Sequence, residues 1–176
     1  MDFINSPVDL SRLPAPEEVT LGPVHPDYKK VLQVEWRVTA ILLVLIAGTV
    51  VFFSDNLKAS WGWLVIALVT LFIIALRWVS IQRSFPFLAY AVREKDVIHQ
   101  SGWLIRTTKV CPFNRIQNCS VRSGPIERRY NLASLIVDTA GSGGADMRIS
   151  GLLQEEADKL RYYILEKIHA EPDEAV

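Results

Sequence analysis

VTAILLVLIAGTVVFFS, Val38 to Ser54, and ASWGWLVIALVTLFIIAL, Ala59 to Leu76, decide the architecture of this chain of 176 residues. The first stretch carries no charge and 13 hydrophobic residues of 17; the second carries no charge and 15 of 18. At about 1.5 Å of rise per residue they extend about 26 and 27 Å as helices, so they cross a hydrocarbon core of about 30 Å with help from their flanks. Trp36 and Trp78 mark one end of the pair and Trp61 and Trp63 the other, where the aromatic belts of a bilayer lie. The competing reading, two buried helices of a soluble domain, is disfavoured by apolar runs this long.

The link Asp55-Asn56-Leu57-Lys58 is short, which predicts an antiparallel transmembrane hairpin with both chain ends on one side. That side carries Lys29, Lys30, Arg37, Arg77 and Arg83 near the spans, against Lys58 alone on the other. The positive-inside rule then predicts a multi-pass protein of the plasma (inner) membrane with both termini cytoplasmic. No signal peptide is expected, because a long polar stretch precedes the first apolar run. Neither span contains an acid, a base, a histidine or a proline. Proton relays and ion paths need such groups, so a self-contained transporter is not expected and an anchor is the simplest role. Gly48, Gly62, Thr49 and Thr70 suit helix packing, but no GxxxG motif is present.

Hydrophobic residues make up 50% of the whole chain. Outside the two runs the composition is that of an ordinary soluble domain. Disordered, collagen-like and disulfide-rich classes are excluded. Lys plus Arg equals Asp plus Glu, 19 each, so the net charge gives no reason to expect a nucleic-acid partner. Residues 1–27 hold Pro7, Pro14, Pro16, Pro23 and Pro26 and are expected as an irregular cytoplasmic arm with local order at most. The hairpin is expected over 28–79, a soluble domain over 80–170, and an acidic tail over 171–176.

Past Arg77 the apolar period changes. Strands are predicted at Phe87–Val92, Val97–Ser101, Leu104–Cys111, Asn118–Arg122, Leu132–Thr139 and Asp146–Ser150, with a turn at Gly141-Ser142-Gly143-Gly144. Leu153, Ala157, Leu160, Ile164 and Ile168 then recur at helical spacing and predict a closing helix. Glu155, Glu156 and Asp158 near its start and Lys167 near its end suit the helix dipole. One helix after about six short strands cannot build a parallel α/β sheet. The fold class is α+β: a small antiparallel barrel or sandwich capped by a C-terminal helix.

CPFNRIQNCSVRSGPIERRYNLASLIVDTAG, Cys111 to Gly141, resembles the core signature of bacterial pleckstrin-homology (PH) membrane proteins of the YdbS-like family. The matching elements are Pro112, Arg115-Ile116-Gln117, Gly124-Pro125, Ile126, Arg128, Leu132-Ala133 and Thr139-Ala140-Gly141. GLLQEEADKL and the preceding hairpin fit as well, so the resemblance covers about residues 25 to 170. It implies a PH-like fold, a companion membrane protein with the same domain, and a setting in cell-envelope stress or antimicrobial defence. Asn131 stands where the family usually has glycine; asparagine is the residue that best replaces glycine in a left-handed backbone. Phosphoinositide-binding relatives of the fold cluster bases at the first hairpin. Here that turn is Arg93-Glu94-Lys95-Asp96, two of each sign, so phosphoinositide binding is not supported.

The neutral total hides an asymmetry. Ile81 to Ser150 carries ten bases and five acids, and Gly151 to Val176 carries three bases and seven acids. A basic barrel face with Arg106, Lys109, Arg115, Arg122, Arg128 and Arg129 either contacts anionic headgroups or a partner, or is simply solvated. Arg115-Ile116-Gln117 either lines a groove or holds open strand ends by hydrogen bonds, the second being favoured. His25, His99 and His169 lack metal-ligand spacing, and Cys111 and Cys119 form no CxxC pair. Gly141–Gly144 is no phosphate loop, since no lysine follows. No enzyme activity, cofactor or metal is expected. The expected function is a membrane-anchored scaffold that binds the bilayer, a second copy of itself or a companion protein. The alternative is an accessory subunit of a transport or export complex.

Overall fold

Two helices carry the apolar runs. In the computed structural model, which describes residues 20–55, 61–139 and 147–170, α1 spans Tyr28–Phe53 and α2 spans Gly62–Ser84. A 3-10 turn, Phe85–Phe87, follows α2. With 26 and 23 residues the helices are about 39 and 35 Å long, enough for a hydrocarbon core with a turn to spare. Their central windows have mean hydropathies of 2.2 and 2.5, and no part of either window is buried within the chain. A helix apolar all round and covered by nothing of its own is built for lipid. The expectations for residues 1–19, for most of the link, for the Gly141–Gly144 turn and for the acidic tail lie outside the described residues.

The two helices clasp near one end. The Trp36 and Trp78 rings lie 4.7 Å apart at 52°, and the Trp36 indole N–H donates to the Ile74 carbonyl at 3.1 Å. An indole N–H in apolar surroundings needs an acceptor, and the facing helix supplies one. These two tryptophans therefore join the helices, while Trp61 and Trp63 at the far end are exposed.

The alternating segments form β1 (Gly22–Pro23), β2 (Ala89–Val92), β3 (Asp96–Ser101), β4 (Thr107–Pro112), β5 (Ile116–Arg122), β6 (Leu132–Thr139) and β7 (Met147–Leu153). One antiparallel sheet has the order β1-β2-β3-β4 and the other β5-β6-β7. The sheets do not close, because the chain passes from β4 to β5 through a 3-10 turn, Phe113–Arg115. Of the two expected forms, barrel and sandwich, the sheets take the open one. A short helix, α3 (Pro125–Arg129), joins β5 to β6, and α4 (Gln154–Ala170) closes the fold. Ala157 and Ile164 of α4 pack on Leu135, Val137, Ile149 and Leu152, with Leu160 and Ile168 half-buried beside them. This is the predicted apolar face; only Leu153 belongs to β7 instead.

Three local expectations are corrected. The strand expected over Leu104–Cys111 begins at Thr107. Gly102 has φ 91°, and a Cβ on it would lie 2.0 Å from the Ile105 carbonyl oxygen. Residues 102–106 are therefore a tight turn that only glycine can open. Helix α3 was not expected. The arm is not irregular to residue 27: Gly22 and Pro23 pair with Tyr90 and Ala89, and Val24 is buried. Proline is tolerated there because β1 is the edge of its sheet. Asn131 has φ 55°, the left-handed conformation expected of it.

Candidate functional site at the root of the hairpin

Helix α1 does not end at the membrane boundary. Its first turn enters the soluble domain, where Val31 is fully buried and Tyr28 lies against Gly151. Gly151 has φ 80° and sits where the β6–β7 register slips between Ala133 and Ser134. A glycine in a left-handed bulge bends the strand and bares its backbone. The bared Gly151 carbonyl accepts the His25 N–H at 2.8 Å, and its Cα leaves room for the Tyr28 ring.

A polar network runs inward from that contact. Tyr28 hydrogen-bonds Ser150. The Ser150 and Ser134 hydroxyls are 2.9 Å apart, and Ser134 donates to Glu127 Oε1 at 2.8 Å. Arg148 donates to Ser150 at 3.1 Å and to Ser134 at 3.2 Å, with its guanidinium 3.9 Å from Glu127. The buried Glu127 also accepts the Gly124 N–H at 2.7 Å, capping α3 behind Pro125. A buried carboxylate is tolerated when its oxygens are supplied in this way. The network thus ties α1, α3, β6 and β7 into one body. Trp103 adds a second tie, its indole N–H 3.4 Å from Ser80 Oγ of α2.

Between these ties lies a cavity of about 530 Å³ lined by Tyr28, Leu32, Glu35, Trp36, Arg77 and Ile126, among others. It is apolar apart from hydroxyls and one charge of each sign, a lining suited to an amphiphilic group. A second cleft, about 600 Å³, opens between the spans and is lined by Gly48, Phe52, Trp63, Ala67 and Thr70 among apolar neighbours.

The predicted basic residues are all exposed but do not form one patch. Arg106 lies in the β3–β4 turn with its guanidinium 4.6 Å over the Phe87 ring. Arg122 ends β5 opposite Ser134, and Arg128 and Arg129 lie on α3, which packs on α1. These four sit at the hairpin end. Lys109 is in mid-strand, opposite His99. Arg115 follows Pro112, which pairs with Asp96 at the far end of β4, about 17 Å from Thr107 along the strand. Gln117 stands beside Arg115 at a β5 irregularity. Ile116 between them is buried in the core. In the first hairpin turn, Arg93 binds Asp96 through two hydrogen bonds of 2.6 and 2.5 Å.

Burial pushes the Cys119 thiol up to about 11, so it stays protonated and a poor nucleophile at neutral pH. Burial also lowers the His99 pKa, and its Nδ1 has no hydrogen-bond partner. Among the described residues, no three His, Cys, Asp or Glu side chains stand together as a metal site. Tyr28 was expected near the lipid headgroups and instead packs on Gly151 of the domain. Glu127, Ser134, Arg148 and Ser150 were not singled out in the sequence. One signal for them is present: Gly124-Pro125-Ile126-Glu127 is a helix start with proline at the first position and a glutamate at the third.

Residues 30–168 match the family model described as Bacterial PH domain. The UPF0699 transmembrane protein YdbS of Bacillus subtilis (strain 168) is 32% identical over 150 residues, covering 78% of this chain and 86% of that protein. No solved structure matches. The matched region takes in the two spans, strands β2 to β7 and the network residues Glu127, Ser134, Arg148 and Ser150, and the chain belongs to the bacterial PH domain family as a YdbS-like membrane protein.

Proposed function

We propose that this chain is a membrane-anchored scaffold that holds its PH-like domain in a fixed pose at the cytoplasmic face for a protein partner. The partner is a second copy of the chain or a companion membrane protein with the same domain, in cell-envelope stress or antimicrobial defence. The observation that carries the reading is the weld between hairpin and domain: Val31 buried, Tyr28 seated on Gly151, and the chain of bonds to Glu127. A tether needs only a flexible linker, whereas a fixed pose is useful to a surface that must meet another surface. The cytoplasmic orientation rests on the five bases flanking the clasped end against Lys58. No catalytic role is assigned.

Photo-crosslinkers at Lys109 and Gln117 in native membranes, with the adducts identified by mass spectrometry, test the scaffold. Adducts with the chain itself or another PH-domain membrane protein are expected. Reproducible recovery of a polytopic pump or channel would overturn the scaffold reading and favour an accessory subunit of a transport complex. The cleft beside Gly48 and Ala67, wide enough to admit side chains of another helix, is the observation in favour of that second reading. For orientation, Lys58→Cys in intact cells should react with an impermeant thiol reagent; protection until lysis would reverse the topology.

A further inference from the structure

Past α2, the large apolar side chains exposed among the described residues are Leu104, Ile105, Val110 and Tyr162. Leu104 and Ile105 are adjacent and are 78% and 77% exposed. They form the tip of the β3–β4 turn, held in shape by Gly102 at φ 91°. Water is a poor environment for two such side chains side by side on a rigid turn.

The place of that turn is set by the hairpin. Trp103 bonds Ser80 Oγ, and Arg106 lies over Phe87. Ser80 is four residues beyond Leu76, where the charge-free run ends, so it stands about 6 Å past that run. The headgroup layer on each side of a bilayer is about 5–7 Å thick. Going from Arg106 at Phe87 to Trp103 at Ser80, the turn approaches the membrane. At that end the two helices carry the clasped Trp36 and Trp78 and the exposed Arg37 and Arg77.

We propose that the β3–β4 turn is a third membrane contact, inserting Leu104 and Ile105 into the leaflet on the domain's side. Trp103 flanks them at headgroup depth, and Arg106 lies farther out, over Phe87. The occupant of this surface is the acyl layer of the lipid that already surrounds α2, because the turn is fastened to that helix where it leaves the bilayer. An apolar tip flanked by tryptophan and arginine has the composition of an interfacial insertion. Through it the domain touches the bilayer beside α2, a contact additional to the two spans, which fixes its tilt as well as its distance.

The test uses the full chain in protein-free nanodiscs of phosphatidylethanolamine and phosphatidylglycerol. Ile105→Cys and, for comparison, Asn114→Cys at the far end of β4 carry a thiol-linked fluorophore. Wild-type protein, whose two cysteines are buried, supplies the labelling background. Nitroxide on the lipid acyl chain should quench the label at 105 at least threefold more than the label at 114, and aqueous iodide should do the reverse. Adding Leu104→Ser to the Ile105→Cys protein should reduce the acyl-chain quenching several-fold. Equal quenching at the two positions would overturn the insertion. So would iodide protection at 105 in native membranes that vanishes in nanodiscs, since a protein would then be the cover.

Discussion

Gly151→Ala tests the weld most directly. Gly151 has φ 80°, and an L-residue held in the left-handed region costs about 1–2 kcal/mol. The new methyl group would lie 2.6 Å from Tyr28 Cγ and 2.8 Å from its Cβ and Cδ1. Carbon atoms pack best at about 3.5–4.0 Å, so the overlap is about 1 Å with ring atoms close to the backbone. Relief requires Tyr28 to move off Ser150 and α1 to shift at Val31, an overpacking cost of about 1–3 kcal/mol. Together the two terms predict a loss of about 3 kcal/mol. At about 2–4 °C per kcal/mol for a chain of this size, the Tm should fall by about 6–12 °C.

The two terms can be separated. In a Tyr28→Gly background, which removes the Cβ and the ring together, those contacts are gone and only the backbone term remains, so Gly151→Ala should there cost about 1–2 kcal/mol. Thermal unfolding of the full chain in one detergent, read by near-ultraviolet circular dichroism, gives all four corners of the cycle. Gly48→Ala is the control: nothing lies within 4 Å of its Cβ position, and its Tm should not fall. A Gly151→Ala protein as stable as the parent, or equally destabilised with and without Tyr28, would refute the contact between α1 and the β7 bulge.

Glu127→Ala removes the cap of α3 and the acceptor of Ser134, and should cost about 1–3 kcal/mol in the same assay. Asn131→Val puts a β-branched residue at φ 55° and should lower the Tm, whereas Asn131→Gly should leave it unchanged or raise it. His99 gives a pH dependence. Burial lowers its pKa below the ordinary histidine value, with Lys109 adding in the same direction, so the unfolded chain takes up a proton first. Its neutral form therefore contributes fully above that ordinary value, and stability is lost as pH falls from there toward the folded pKa, by at most about 1.4 kcal/mol per pH unit. Unfolding scans from pH 7.5 to 5 should slope less for His99→Gln than for the parent; parallel curves would remove His99 from the account.

What was legible in the sequence followed from solvent. A helix in lipid has to be apolar on every side, so α1 and α2 appear as unbroken runs, and a strand buried on both faces appears as a short apolar run, so β6 was read end to end from Leu132 to Thr139. Leu104 and Ile105 show where this reasoning stops. Apolar residues look alike in a core strand and in an exposed turn, and only the φ of Gly102 separates the two. Summed charge has the same weakness. Ten bases between Ile81 and Ser150 carry no position, and the antiparallel course of β4 sends Arg106 to the hairpin end and Arg115 to the opposite one. The network at the root was the least legible. Its members at 28, 127, 134, 148 and 150 share no local spacing, and each is an ordinary polar residue until the β7 bulge brings them together. That network lies at the seam between a helix made for lipid and a domain made for water. A seam joined by one buried carboxylate, two serines and a tyrosine is held by directional bonds, so it sets an angle between helix and sheet that apolar packing alone leaves free to slide.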